Sequence, residues 1–279
     1  MRFLLSALAA LAAGACHQTA GTAASQPAAA KSTAAEFAVG YGEFLARPEA
    51  LTSVAANDIA KSVRLSGAAM ALGKTVYDKN CAACHGADLK GLAAQHTPDL
   101  TDAAWQFSSD DIASGGAANF PSDVEWTVRY GVRSDHPSAR GAEADMVAYD
   151  PQYRNKRDTS DFGGDKWLTP EETEDVVDYV LKLGGQPADT TKAARGAVLF
   201  QDNATGNCFD CHGEDGTGIV AFGATNLTQP RLYLYGSDRA SILESINKGR
   251  VGVMPAFEGK LNLAQIKAVA IYVFSHAQN

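Results

Sequence analysis

Cys81-Ala82-Ala83-Cys84-His85 and Cys208-Phe209-Asp210-Cys211-His212 are two copies of one short pattern, C-x-x-C-H, each followed by glycine (Gly86, Gly213). The spacing suits covalent attachment of haem. Two thiols three apart can add to the two vinyl groups of one porphyrin, and the adjacent histidine then lies under the iron as its proximal ligand. Other uses of these residues fit less well. A structural zinc site would draw the two C-x-x-C pairs together, but Cys208 lies 124 positions beyond Cys84, far outside the usual spacing. Thioredoxin-like exchange needs a βαβ pattern around one pair, and neither has one. Two local disulfides would suit an oxidising compartment, but they leave the histidines, the methionines and the repeat described below without a role. Two covalently bound haem c groups (Fe) are therefore expected, with His85 and His212 as proximal ligands.

A haem held this way usually takes a second axial ligand, and the methionines are few: Met1, Met70, Met146 and Met254. Met1 belongs to a leader and Met70 precedes the first motif. One methionine therefore follows each motif, Met146 at 61 residues beyond His85 and Met254 at 42 beyond His212. A thioether opposite a histidine favours reduced iron, which suits an electron carrier. It also fills the site against small ligands. The alternative for a lone methionine is core packing. That alternative is weak for Met254, which sits in the stiffened loop Gly252-Val253-Met254-Pro255. It is stronger for Met146, which Val147 follows, and which has His96 and His136 as rivals that read as surface loop residues. Met146 and Met254 are the expected second ligands.

Laying one motif on the other aligns more than the cysteines. Gly73 and Tyr77 precede Cys81 as Gly196 and Phe200 precede Cys208, each pair four apart and so on one helix face. Downstream, Pro98-Asp99-Leu100-Thr101 answers Thr225-Asn226-Leu227-Thr228, and Tyr130-Gly131 answers Lys248-Gly249. Each unit closes with an amphipathic helix. The first starts at Thr169 with Pro170 and Glu172, a capping box with proline at the first helical position. Val176, Val177, Val180 and Leu183 make its apolar face, and Gly184-Gly185 ends it. The second starts near Asn262 with Gln265 three on, and repeats the stripe at Ile266, Val269, Ala270 and Val273. Tyr179 and Tyr272 hold matching places. The terminal helices of one unit are expected to cross at its glycine, where a missing side chain lets an aromatic approach. The fold class is all-α, two tandem units over 67–186 and 190–279, joined through Gln186-Pro187-Ala188-Asp189.

Met1-Arg2, the apolar run Phe3 to Ala15 and then Cys16 describe an export signal over residues 1–15. The run is 13 residues, short of the roughly 20 a membrane span needs, and no other stretch is long or apolar enough. Leu11-Ala12-Ala13-Gly14-Ala15 before Cys16 resembles a bacterial lipoprotein box, in which the cysteine is lipidated and becomes the new N-terminus. Ordinary cleavage at Ala13-Gly14-Ala15 is the other reading. Residues 16–66 follow as a flexible tether to about Ala35 and a partly ordered lead-in from Phe37 to Leu65. Export places the protein in the periplasm, with membrane association through a lipid on Cys16. With 46% hydrophobic and 20% charged residues over 279 positions, the chain is globular rather than disordered. A net charge of −8 argues against a nucleic-acid partner, because phosphate binding needs a basic face.

Both halves resemble class I cytochrome c domains, and the pair is similar to the dihaem CcoP (FixP) subunit of cbb-type haem–copper oxidases over residues 67–279. In the first half the resemblance rests on Thr127-Val128-Arg129-Tyr130-Gly131, His136-Pro137, Arg140, Met146 and the segment Leu168 to Leu183. In the second it rests on Cys211 to Gly218, Asn226-Leu227-Thr228, Leu234-Tyr235-Gly236 and Lys248 to Pro255. It implies that His85 and Met146 ligate one iron, and His212 and Met254 the other. Arg140 and Arg250 are candidates to pair with haem propionates. Three features depart from the family pattern. Family members hold a transmembrane helix that packs against the oxidase core, where this sequence has only the signal. A charged loop, Pro151 to Trp167, follows Met146 and reads as a solvated insertion. Thr225 replaces a proline whose carbonyl accepts a hydrogen bond from the proximal histidine, a role any residue's carbonyl can fill. The implied function is single-electron transfer to a terminal haem–copper oxidase, with redox proteins as partners and no substrate chemistry in the chain itself. An independent, lipid-anchored carrier of cytochrome c4 type is the alternative. A dihaem peroxidase fits least, because it needs an open iron position.

Overall fold

The computed structural model describes residues 48–102, 105–108, 120–141, 145–154 and 167–277. The expectations for the leader, Cys16 and the tether fall on residues 1–47, outside that set, as does 155–166 of the expected insertion. Among the described residues the structure is helical, with isolated β-bridges and no strand, in line with an all-α fold.

The helices are α1 (Ala56–Lys61), α2 (Val63–Asn80), α3 (Ala82–His85), α4 (Phe120–Tyr130), α5 (Pro170–Leu183), α6 (Thr190–Gln201), α7 (Phe209–His212), α8 (Arg239–Lys248) and α9 (Leu263–His276). Their starts are written in the sequence. Both expected capping boxes form: Thr169 with Glu172 on α5, and Asn262 with Gln265 on α9. Asp189 and Asp238 cap α6 and α8 by accepting from two backbone amides each. Each such cap stabilises its helix by about 1 kcal/mol, because it satisfies amides that have no partner within the helix.

The helices cross at Gly73 and Gly196, as expected, but with exchanged partners. A side chain on Gly73 would begin 2.2 Å from the Ala268 carbonyl of α9, and one on Gly196 would begin 2.0 Å from the Asp175 carbonyl of α5. Tyr77 of α2 meets Tyr272 of α9 with ring centroids 5.4 Å apart, and Phe200 of α6 meets Tyr179 of α5 at 5.2 Å. The helix that closes the first half of the sequence therefore packs on the helix that opens the second, and the helix that ends the chain returns to α2. Connection length explains the choice. Only Gly184 to Asp189 separates α5 from α6, so that pair closes at little entropic cost, whereas the cost of the long closure grows only with the logarithm of its length.

Two cores follow from this exchange. The first gathers Tyr77, Phe120, Val124, Val128, Ile266, Val269 and Val273, from α2, α4 and α9. The second gathers Val176, Val177, Val180, Phe200, Ile242 and Ile246, from α5, α6 and α8, with Leu227 from the loop before α8. Arg195 grips Asp175 through two 2.6 Å contacts, and Asp178, fully buried, accepts from Arg239 and from the Asp189 amide. The lead-in from residue 48 onward has a structural role. Leu51 and Ile59 are fully buried against Ala268 and Ile271 of α9, each worth roughly 1.5–3 kcal/mol of apolar burial. Lys267 of α9 reaches back to the carbonyls of Thr52 at 3.0 Å and Val54 at 2.6 Å.

Candidate haem-attachment sites

Each C-x-x-C-H motif folds as a single helical turn, α3 and α7, with its first cysteine at the N-cap. The amides of His85 and His212 bond at 2.9 Å to the carbonyls of Cys81 and Cys208. One turn sets positions i, i+3 and i+4 on a common face, so two thiols and an imidazole line up along one edge. None of the four motif cysteines pairs in a disulfide. Burial pushes Cys81 up to about 11 and Cys208 up to about 12, and raises Cys211 as well. A dithiol used for exchange chemistry needs a depressed pKa, so burial here works against that use.

Burial lowers the pKa of both histidines, opposed in part by a facing carbonyl, Pro98 for His85 and Thr225 for His212. His212 Nδ1 donates to the Thr225 carbonyl at 3.0 Å. A carbonyl only accepts, so the proton sits on Nδ1 and Nε2 keeps its lone pair, as in a metal-binding imidazole. Thr225 thus fills the role of the expected proline. In the first motif the Pro98 carbonyl faces the ring, but His85 Nδ1 is buried and closes no hydrogen bond among the described residues. The repeat holds in the loops that carry these carbonyls. Asp99 Oδ1 accepts from the Thr101 amide and hydroxyl at 2.7 and 2.6 Å, and Asn226 Oδ1 from those of Thr228 at 2.9 and 2.7 Å.

The methionines are where the structure departs most from the sequence expectation. Met254 packs against the first core, as Cys81 does, and Met146 packs against the second, as Cys208 does. The pairing expected from sequence, His85 with Met146 and His212 with Met254, would have to reach between cores, whereas each methionine lies in the core that holds the other half's motif. The backbone that enforces this is near-symmetric. Met254 exchanges two hydrogen bonds with Val132, each 3.0 Å, and Met146 exchanges two with Arg250, at 3.2 and 2.9 Å. Three and four residues on, the amides of Phe257 and Glu258 bond to Arg129 O at the end of α4, and those of Tyr149 and Asp150 bond to Ile246 O and Asn247 O at the end of α8. Gly131 and Gly249 permit the approach. Each has a positive φ, +78° and +66°, and a side chain on either would begin 2.4 Å from the carbonyl of Met254 or Met146 respectively.

The remaining polar candidates are engaged elsewhere. Arg140 pairs with Asp123 at 2.8 Å, while Arg250 donates to Ser245 at 3.0 Å and lies over the Tyr235 ring. His96 is exposed with its ring tilted against that of Tyr235, and His136 pairs with Glu258. Met70 accepts from the Ser275 hydroxyl and packs beneath α9. Sequence reading missed Arg133, which joins Asp145 at 3.3 Å and donates to Phe222 O at 3.2 Å where the two halves meet. It also missed Phe107, whose ring a side chain on Gly223 would strike. Neither belongs to a motif, so periodicity gave no signal for them.

Paired thiols on one turn, a neutral imidazole with its Nδ1 turned to a carbonyl, and a thioether in the same core are the donor set of haem c, and the residues fit that group. Residues 70–184 match the family model for cytochrome c, and residues 191–273 match the model for cytochrome c oxidase, cbb3-type, subunit III. The cbb3-type cytochrome c oxidase subunit FixP of Bradyrhizobium sp. (strain ORS 278) is 40% identical over 227 residues, which cover 81% of this chain and 67% of that protein. The chain belongs to the CcoP/FixP family. Subunit CcoP of Azospirillum sp. (strain B510) is 36% identical, over 80% of this chain and 68% of the relative. FixP of Bradyrhizobium diazoefficiens is 39% identical, over 81% and 67%. This CcoP/FixP chain is accordingly an all-α pair of cytochrome c units that carries covalently bound haem c and serves electron transfer. Among its described residues no helix is long and apolar enough to cross a membrane.

Proposed function

We propose that this chain carries two haems with crossed axial ligands and passes single electrons, as a CcoP-type subunit, to a terminal haem–copper oxidase. The observation that carries the reading is the placement of Met254 in the core of Cys81, and of Met146 in the core of Cys208. When bound, each haem supplies a one-electron couple. The protein does the rest. Cys81, Cys84, Cys208 and Cys211 would fix the groups covalently, His85 and His212 would ligate them, and the two thioethers would supply second ligands that raise the potential. Because each methionine is delivered by the other half of the sequence, neither half can swing away without giving up a ligand. The distance between the haems is thereby held for electron passage. Location in the periplasm and a lipid on Cys16 rest on the residue pattern of 1–16.

Replacing each methionine by alanine and titrating the reduced protein with carbon monoxide tests the ligation. M254A opens the haem on Cys81 and Cys84, and M146A opens the haem on Cys208 and Cys211. The reverse assignment sinks the crossed reading. Fast reaction of the unmodified protein with carbon monoxide would favour a peroxidase-like open site. Co-purification with oxidase haems and copper from solubilised membranes tests the assembly, since a free carrier travels without them.

A further inference from the structure

Glu258 lies four residues beyond Met254 and is held from three directions. Its Oε1 accepts from Arg129 Nε at 2.7 Å and lies 2.6 Å from Arg129 Nη2, and its Oε2 lies 3.0 Å from His136 Nε2. Its own amide donates to the Arg129 carbonyl at 2.9 Å. The histidine's role is fixed by its other nitrogen. His136 Nδ1 accepts from the Ser138 amide at 3.0 Å, so the proton sits on Nε2 and is donated to Glu258. The imidazole is stacked on Tyr130 at 4.6 Å, which keeps it in register. Glu125 of α4 is the other charged group felt by Arg129. Arg129 lies in the last turn of α4 and His136 in the connection that follows, so both come from the first half of the sequence, while Glu258 comes from the second.

The matching place in the other site is built differently. Asp150 lies four residues beyond Met146, and its amide bonds to the Asn247 carbonyl at 3.1 Å, as that of Glu258 does to Arg129. Its carboxylate, however, turns back on its own loop and accepts from the Gln152 amide at 3.0 Å and from Gln152 Nε2 at 2.5 Å. Asn247, neutral, stands where Arg129 stands. At the position four residues beyond the methionine, a carboxylate bridges the two halves in the Met254 segment and stays within its own loop in the Met146 segment, whose charged contact is instead the Arg133–Asp145 pair just before the methionine.

We propose that Glu258, gripped by Arg129 and His136, is a positioning residue that holds Met254 on the first haem. This rests on the crossed ligation above. The Met254 segment is pinned at one end by its bridge to Val132 and at the other by this carboxylate. Removing the second pin raises the fraction of time the thioether is away, and an exogenous ligand captures the iron in proportion to that fraction.

The test uses the reduced, haem-loaded full chain. Proton resonances of the two methionine methyls are assigned to each haem by their nuclear Overhauser contacts with the thioether groups, and carbon monoxide is the probe. E258A raises carbon monoxide affinity at the Cys81/Cys84 haem about threefold, the size expected for a half-exposed ion-pair cluster, and leaves the other haem unchanged. E258Q, which keeps one acceptor, gives a smaller rise and guards against a folding defect in the alanine variant. D150A leaves the first haem unchanged. An unaltered first haem in E258A, or an equal rise at both haems, overturns the latch. M254A in the same titration separates the two ideas. If it opens the first haem while E258A does not, only the latch fails, and if it opens the second haem, the crossed ligation itself fails.

Discussion

Gly249 precedes Met254 by five residues, yet the group its missing side chain admits is Met146. The variant G249A therefore distinguishes crossed from sequence-local ligation without touching a ligand. Alanine at φ +66°, ψ 176°, a region open essentially to glycine alone, costs about 1–3 kcal/mol. Its methyl group would begin 2.4 Å from Met146 O and 2.9 Å from Ala148 N, about 1 Å inside ordinary contact. Overpacking of this kind costs about 1–3 kcal/mol. α8 cannot retreat to relieve it, because Ile242 and Ile246 anchor that helix in the second core. The Met146 segment, held here by its two hydrogen bonds to Arg250, is the element free to move. If about 2 kcal/mol of the strain is relieved by its release, the released fraction rises about 30-fold, each 1.4 kcal/mol being tenfold. The assay is the methyl resonance of each ligated methionine in the reduced protein, together with carbon monoxide affinity at each haem. G249A should weaken the Met146 signal and open the Cys208/Cys211 haem, and G131A should do the same to Met254 and the Cys81/Cys84 haem. A G249A protein that loses Met254 and keeps Met146 refutes the reasoning.

Three further outcomes follow from the packing. G73A should destabilise the chain in urea by about 1–2 kcal/mol, an overpacking cost of up to about 3 reduced by about 1 of helix propensity, since the new methyl meets the Ala268 carbonyl; an unchanged midpoint would mean that α2 and α9 do not cross there. K267M leaves the carbonyls of Thr52 and Val54 without their donor, so proteolysis within residues 48–61 should quicken while the haem spectra stay the same. Asp189 and Asp238, whose cap hydrogen bonds hold their carboxyls below the usual carboxylate range, stabilise α6 and α8 above their unfolded pKa near 4, and that contribution is lost as pH falls through the depressed folded values. Melting temperature should therefore drop steeply below about pH 4, and less steeply in D189N, which lacks one of the two titrating caps.

What the sequence shows clearly is everything set by short-range chemistry. The C-x-x-C-H turns, both capping boxes, the Thr225 carbonyl and the crossing glycines all follow from residues within a few positions of each other. Pairing between the halves is not legible that way. The α5 and α9 faces carry the same stripe with Tyr179 and Tyr272 in matching places, and Gly73 and Gly196 offer the same notch, so either closing helix satisfies either opening helix. Local pattern is degenerate between the two arrangements, and what separates them is connection length and the bridges at Val132 and Arg250, which no motif announces. The same degeneracy hid the methionine exchange, because each methionine follows a motif in sequence while belonging to the other in space.

Exchange also makes the two cores unequal partners. The second core is built from one continuous stretch, Met146 through α8, while the first is assembled from two, residues up to Val132 and residues from Met254 onward. Between them lie 121 residues. Were those unfolded, closing such a loop would cost the first core about 4 kcal/mol. When they are folded, the bridges at Val132 and Arg250 deliver the two ends side by side, and that cost falls on the second core instead. Stability should then be coupled in one direction. V177A empties part of the second core, where Val177 is fully buried, and should weaken it by about 2 kcal/mol. As that core melts, the Met254 ligand should be lost with it, at a temperature below the unmodified protein's. V269A, equally buried in the first core, should release Met254 early while Met146 stays bound to its normal melting point. Methionine-specific resonances followed through thermal denaturation report both events. If V177A lowers the melting of the second site alone, the first core closes without help and the argument from connectivity is wrong.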